Sequence, residues 1–182
     1  MATQQYIPIV TPSPIFEARE WFAIQTRARH EKKVAAQLTE KGMTSFLPLV
    51  SSLQRWSDRR KVVEFPLFAC YTFVQADWSA VARSAILRTP GVFRIVGAGE
   101  QPIPIPDPQI ESIRLLLEKR IACSPHPFLN VGQRVRIRGG CLDGMEGILL
   151  AFKSNRTLVI SVEPIQRSLA IQIGEDYEVE AV

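Results

Sequence analysis

The stretch Phe68-Ala69-Cys70-Tyr71-Thr72-Phe73-Val74-Gln75 decides how the N-terminal half is read. Its side chains alternate, with Tyr71, Phe73 and Gln75 on one face and Cys70, Thr72 and Val74 on the other, the two-residue period of a pleated strand. Working outward, Asp77 can cap a following helix, in which Trp78, Val81, Ala82, Ala85 and Ile86 fall on one apolar stripe. Thr89-Pro90-Gly91 ends it, and Val92 to Val96 predicts a further strand. The Pro102, Pro104, Pro106 series must be extended, because proline fixes its own backbone and biases its predecessor. Asp107-Pro108 then starts a helix with Ile110, Ile113 and Leu117 facing inward.

Upstream of the decisive strand, Ser45 to Leu53 and Lys61 to Phe65 read as extended segments, joined by a polar connection at Arg55 to Arg60. Before them lies a helix with Val34 and Leu38 on one face and Lys32, Lys33 and Gln37 on another. Gly42 stops it in the left-handed conformation. Trp21 to Thr26 is rich in aromatic and β-compatible residues. The resulting β-α-β-β-β-α-β-α order predicts an α+β domain over residues 20–118, an antiparallel sheet with flanking helices. Residues 1–19, with Pro8, Pro12 and Pro14 and no amphipathic period, read as a disordered leader.

Over residues 119–128 the pattern lapses, and Ser124-Pro125-His126-Pro127 reads as a linker. Residues 129–182 hold five short extended runs, at 133–138, 145–153, 157–162, 167–173 and 177–181, divided by Gly, Asn or Pro turns. They predict a small closed β-barrel, which would leave no sheet edge uncovered.

The 182 residues carry a net charge of +4, unevenly placed. Nine Lys or Arg and three acids lie between Arg27 and Lys61, whereas Glu175 to Glu180 holds four acids. One end therefore attracts polyanions. No window reaches the ~18 to 20 apolar residues that span a bilayer, so a soluble, cytoplasmic protein with no membrane partner is expected. Cys70, Cys123 and Cys141 are far apart and odd in number, which predicts reduced, structural thiols and no metal or other cofactor.

Several strings, taken in order, resemble the N-terminal (NGN) domain of NusG-type transcription elongation factors: Trp21-Phe22-Ala23-Ile24, Glu31-Lys32-Lys33-Val34, Pro66-Leu67-Phe68-Ala69-Cys70-Tyr71-Thr72-Phe73-Val74, Pro90-Gly91-Val92 and Pro102-Ile103-Pro104. Val131-Gly132-Gln133-Arg134-Val135-Arg136-Ile137, Gly140 and Gly144-Met145-Glu146-Gly147-Ile148 resemble a KOW motif, the start of an SH3-like barrel. Within the family, Thr26-Arg27-Ala28-Arg29-His30-Glu31, Arg55-Trp56-Ser57-Asp58-Arg59 and Gln166-Arg167-Ser168 are similar to the UpxY-like antiterminators of polysaccharide operons, relatives in role of RfaH. The family motif usually carries Pro-Gly or Pro-Asn where this chain has Ala69-Cys70.

The resemblance implies a transcription elongation and antitermination regulator, a monomer, that binds RNA polymerase. Its N-terminal sheet would offer an apolar hollow to the clamp helices of the largest subunit. Phe68 and Tyr71 match positions lining that hollow, with Trp21 and Phe22 as supports; core packing is the competing reading, favoured for Trp21. Arg27, Arg29, Lys33 and Lys41 would meet non-template DNA in the transcription bubble. Arg83 and Ser84 would touch the opposite lobe of the polymerase. Arg134, Arg136 and Arg138 alternate with Val135 and Ile137 as an outward basic stripe and, with Arg167, form the expected partner surface of the barrel, for which Rho and the ribosome are candidates. A polar barrel exterior is the alternative for that stripe. At the level of function, the alternative class is an RNA- or ribosome-binding translation accessory protein. An enzyme is not expected, since no phosphate-cradling glycine loop, metal-spaced His/Cys set or nucleophile beside a base is present.

Overall fold

The computed structural model describes residues 19–55, 60–98, 101–126, 128, 132–152, 155–174 and 177–182. The leader expected over 1–19 lies outside these residues apart from Arg19, as do residues 56–59 of the expected polar connection and Pro127. In chain order the N-terminal half comprises β1 (Glu20–Thr26), α1 (Glu31–Glu40), β2 (Thr44–Phe46), β3 (Leu49–Arg55), β4 (Arg60–Pro66), β5 (Tyr71–Ala76), α2 (Ala80–Leu87), β6 (Val92–Ile95), β7 (Gly97–Ala98), β8 (Gln101–Pro102), β9 (Pro104–Ile105) and α3 (Asp107–Glu118). The C-terminal half comprises β10 (Cys123–His126), β11 (Gln133–Arg138), β12 (Glu146–Phe152), β13 (Asn155–Val162), β14 (Arg167–Ile173) and β15 (Glu178–Ala181), with short 3-10 turns at Gly140–Leu142 and Glu163–Ile165.

The fold is α+β, as expected. Its main sheet is antiparallel in the order β2-β5-β1-β6, with β9 also paired to β1. Because β1 is central, its successive side chains enter two different cores. Trp21 and Ala23 join Phe68, Phe73 and Ile105 and the inward residues of α3, whereas Phe22 and Ile24 join Val34 and Leu38 of α1 and Ala82 and Ile86 of α2. The residues Trp21 to Ile24 are all buried. Two covered faces explain a strand whose sequence shows no polar alternation.

Several local expectations shift. The single extended segment expected from Ser45 to Leu53 is interrupted at Leu47-Pro48, where proline lacks the N–H that a continuous ladder needs. The piece before the break joins the main sheet and the piece after it forms a separate ribbon with β4. In α2 the cap is Ser79, whose hydroxyl accepts from the Ala82 N–H at 3.1 Å, and Asp77 instead accepts from Ser79. Val81 is 80% exposed, so the inward stripe of α2 is narrower than expected and rests on Ala82 and Ile86. In α3 the buried residues are Ile110, Ile113 and Leu116, with Leu117 only half-buried. A three-residue step from Ile113 follows the helical face as well as a four-residue step does. Gly42 does close α1, at φ 80°.

The decisive strand begins at Tyr71 rather than Phe68. Phe68 to Tyr71 form a tight turn in which the Tyr71 N–H donates to the Phe68 carbonyl at 3.2 Å. Cys70, third in the turn, has φ 66°, a left-handed value that favours glycine or asparagine. Proline second and glycine or asparagine third is the preference of such a turn. This accounts for the Pro-Gly and Pro-Asn pairs of the related motif: here the backbone keeps the bend while Ala69-Cys70 give up the residues suited to it.

In the C-terminal half the strands pair in the order β10-β14-β13-β12-β11-β15, and their apolar faces converge on Val135, Ile137, Leu158, Ile160, Val162, Leu169 and Ile171. All five expected runs are strands. A sixth comes from the segment read as linker: Cys123–His126 pairs with β14, and its Pro125 is tolerated because this is an edge strand. Helix α3 lies against β1 on one side and β13 on the other. The Glu163 N–H donates to Gln109 Oε1 at 3.4 Å between the two halves.

Glycine at position 70 would remove the left-handed strain at some cost in unfolded-chain entropy. Cys70→Gly is therefore expected to stabilise the protein by about 0.5–1 kcal/mol, read as a higher urea midpoint. A lower midpoint would show that the turn carries no strain.

Candidate functional site

Three loops meet at the Thr26 end of β1. The Thr26 N–H donates to the Cys70 carbonyl at 2.8 Å, and the next residue's N–H, that of Arg27, donates to the Gly91 carbonyl at 2.8 Å. Between these bonds the carboxylate of Glu31, at the start of α1, accepts the Cys70 N–H at 2.8 Å. Glu31 is only 5% exposed. Gly91, at φ 101°, completes the closure: a Cβ there would sit 3.0 Å from Val34 Cγ2 and 3.1 Å from His30 Cβ. The β1–α1 loop, the Phe68–Tyr71 turn and the α2–β6 loop are thus one interlocked unit. Within it the Thr26 hydroxyl is buried with no hydrogen-bond partner among the described residues.

On the sheet face beside this unit, Tyr71 pairs with Gln25, and Gln25 pairs with Arg94 on its other side. The Arg94 Nε donates to Gln25 Oε1 at 2.8 Å. Tyr71 is half-buried against the core, and Phe93, next to Arg94, is 68% exposed. The row of Tyr71, Gln25 and Arg94 therefore sets a half-buried ring beside a tethered cation on one sheet face.

The four aromatic residues predicted to act together separate. Phe68 is 4% exposed and stacks edge-on against Phe73 at 5.9 Å, supporting the floor under Tyr71. Trp21 is buried against Phe46, and the Arg114 guanidinium of α3 lies 4.9 Å above its ring. Phe22 points to the opposite face, against Trp78 at 5.3 Å, and cannot line a hollow shared with Tyr71. Adjacent strand residues point oppositely, which is the reason Trp21 and Phe22 part.

Among the basic residues, Arg27, Arg29 and Lys33 are exposed and carry no side-chain bond among the described residues; Arg29 sits at φ 63° in the β1–α1 loop. Lys32 pairs with Glu64 at 3.3 Å, tying α1 to β4. Lys41 departs from expectation. Its ammonium donates to the Ala85 carbonyl at 2.8 Å and to Thr89 Oγ1 at 2.6 Å, so it caps the last turn of α2, where the helix dipole favours a cation. Arg83 lies 5.7 Å from the Trp78 ring centroid and lines an open hollow with Ser84, Leu87 and Arg88.

The barrel arginines form no free basic stripe. Arg134 pairs with Glu163 at 3.5 Å, Arg138 with Glu180 at 2.7 Å, and Arg136 with Glu146. The hydrogen bond and charge of Glu146 raise the Arg136 guanidinium's hold on its proton further. The three arginines, with Glu146 and Glu163, line a cleft of about 910 Å³ between α3 and the barrel, to which neither Phe68 nor Tyr71 contributes. Arg167 is exposed at the start of β14, following Gln166 at φ 49°. Burial pushes the Cys123 thiol up, away from thiolate character. Among the described residues no group of His, Cys, Asp and Glu is placed to hold a metal ion, and no helix is long and apolar enough to cross a membrane.

Sequence reasoning missed Glu31, Arg114 and Phe93. An acid in the first turn of a helix is commonplace, and nothing local signals that Glu31 bonds a residue 39 positions away. The exposed Phe93 follows from an irregularity in the β1–β6 register between Gln25 and Thr26, which the local pattern does not encode.

A two-sided α+β sheet followed by a β-barrel-like unit, with one interlocked loop junction beside an aromatic strand, defines a class of two-part α+β proteins. Residues 19–114 match the family model described as transcription termination factor nusG. The transcription termination/antitermination protein NusG of Borreliella burgdorferi is 25% identical over 177 residues, covering 86% of this chain and 95% of that protein. The corresponding protein of Thermus thermophilus is 27% identical over 156 residues, covering 75% and 84%. The solved structure titled "Domain interaction in Thermotoga maritima NusG" shares the fold, with a TM-score of 0.51, 18% identity, and coverage of 90% of this chain and 97% of that one. The chain belongs to the NusG family of transcription termination/antitermination factors.

The position of Lys41 makes a direct test. Lys41→Met is expected to lower stability by about 0.5–1 kcal/mol in chemical denaturation. An unchanged midpoint would mean the cap is not formed in solution.

Proposed function

We propose that this protein is a specialised NusG paralog of the UpxY/RfaH type, which docks on the clamp helices of RNA polymerase and suppresses pausing and termination on particular operons. Residues 20–118 would form the polymerase-binding unit and 129–182, with β10 (Cys123–His126) added at the edge of its sheet, the KOW barrel, acting as a cytoplasmic monomer. One observation carries the reading: the family match over 19–114 contains a half-buried tyrosine, Tyr71, on the sheet face it shares with Gln25 and Arg94. Tyr71 is the anchor, because an aromatic ring buries a large area at little entropic cost while its hydroxyl stays wet. Phe68 and Trp21 act beneath it as support, and Phe22 acts only through the opposite core.

Arg27 and Arg29, exposed in the β1–α1 loop of the junction, and Lys33, exposed in the first turns of α1, are suited to phosphates of the non-template strand. Lys41 serves α2 instead. Arg83 and Ser84 present the α2 hollow to the polymerase lobe across the cleft. Engaging both sides would favour the closed clamp, and that difference in affinity is what opposes a pause-linked opening. For the barrel, the pairing of Arg134, Arg136 and Arg138 with glutamates supports a protein partner, Rho or a ribosomal protein, over naked RNA, with Arg167 the exposed cation of that surface.

Tyr71→Ala should weaken binding to core RNA polymerase at least tenfold, in keeping with an aromatic anchor; undiminished capture would refute the docking. Replacing Arg27, Arg29 and Lys33 together by alanine should reduce the slope of log affinity against log salt for a bubble-containing complex by about 2, at ~0.7 per single-strand phosphate contact. In a purified elongation assay, saturating protein should shorten pauses, and unchanged pausing would sink the antipausing role.

A further inference from the structure

We propose that Glu31 is a positioning residue for polymerase recognition: its buried carboxylate holds the left-handed Cys70 turn and thereby fixes Tyr71 at a set distance from the basic loop Arg27–Arg29. The inference rests on the Tyr71 docking proposed above and assigns a role that neither the aromatic nor the basic residues fill.

The geometry is specific. Cys70 is strained at φ 66°, and a strained backbone persists only when its surroundings over-determine it. Two bonds do so, the Cys70 N–H to Glu31 Oε1 and the Thr26 N–H to the Cys70 carbonyl, both at 2.8 Å. They grip the two sides of one residue, and the next residue is Tyr71. A charged acceptor in a site this dry holds an N–H more firmly than a neutral one. Glu31 also belongs to the first turn of α1, whose preceding loop carries Arg27 and Arg29 and is closed by the Arg27 N–H to Gly91 bond. The carboxylate is therefore the link through which the helix that follows the cationic loop determines the attitude of the aromatic anchor. With the link cut, Tyr71 would sample several orientations and part of each binding event would be lost to reordering it.

The test compares Glu31→Ala, Glu31→Gln, Glu31→Ala with Cys70→Gly, Tyr71→Ala, and Ile86→Val as a control destabilised in the α2 core. Affinity for core RNA polymerase is measured well below each melting temperature, and amide exchange at Cys70 is followed in the free protein. Glu31→Ala should weaken binding about tenfold, the scale of one charge-assisted hydrogen bond, and should speed Cys70 exchange by a similar factor. Glu31→Gln, whose amide oxygen can accept the same bond, should remain within about threefold of the parent. Glycine at position 70 should restore most of the binding lost in Glu31→Ala, since it needs no help to reach positive φ. Ile86→Val should bind as the parent does. If Tyr71→Ala weakens capture while Glu31→Ala does not, or if Glu31→Ala loses no more than Ile86→Val, the positioning role is overturned and the docking stands. If Tyr71→Ala has no effect, the docking reading itself fails and takes this inference with it.

Discussion

Everything in the N-terminal half is arranged around a strand covered on both sides. Four consecutive residues of β1, Trp21 to Ile24, are buried, and a pleated strand can bury neighbours only by sending them to opposite faces. One face therefore needs α1 and α2, and the other needs α3. At the Thr26 end three loops close over one another with Glu31 of α1 bonded between them, and Gln25, Tyr71 and Arg94 form a row with one side toward solvent. Function is assigned to that half-exposed row.

That end is also where the backbone departs from its lowest-energy states. Arg29 and Cys70 both have positive φ within the same junction, and the Thr26 hydroxyl is buried without a hydrogen-bond partner among the described residues. A left-handed non-glycine residue costs roughly 1–2 kcal/mol, so its retention requires bonds such as those to Glu31 and Thr26. Strain held by surrounding structure is a common companion of recognition sites, because rigidity there is worth more than local ease.

Charge follows the same logic of partnership. The chain has many cations, but the fold commits most of those it positions: Lys32 to Glu64, Lys41 to the end of α2, and the three arginines of β11 to glutamates of the barrel. Exposed pairs of this kind add little stability, but they cancel the field that a run of basic residues would otherwise project. Arg27, Arg29 and Lys33 are left uncommitted among the described residues, the first two in the loop that closes on the Gly91 turn. Position and pairing, rather than the count of lysines and arginines, decide which surface can meet a polyanion.

The sequence by itself determined the α+β class, the three helices and the five barrel runs, because hydrophobic period and turn residues act within a few positions of one another. It also determined the alternation that sets Tyr71 and Phe73 apart from Thr72 and Val74. It misplaced what depends on distant partners: the linker that became β10 against β14, the Lys41 ammonium spent on α2, and the division of Trp21 from Phe22 between two cores. Only the tertiary structure decided that Glu31 would hold Cys70. A carboxylate and an N–H separated by 39 residues carry no mutual signature in the chain, and their bond exists because sheet register and helix packing bring α1 over the turn.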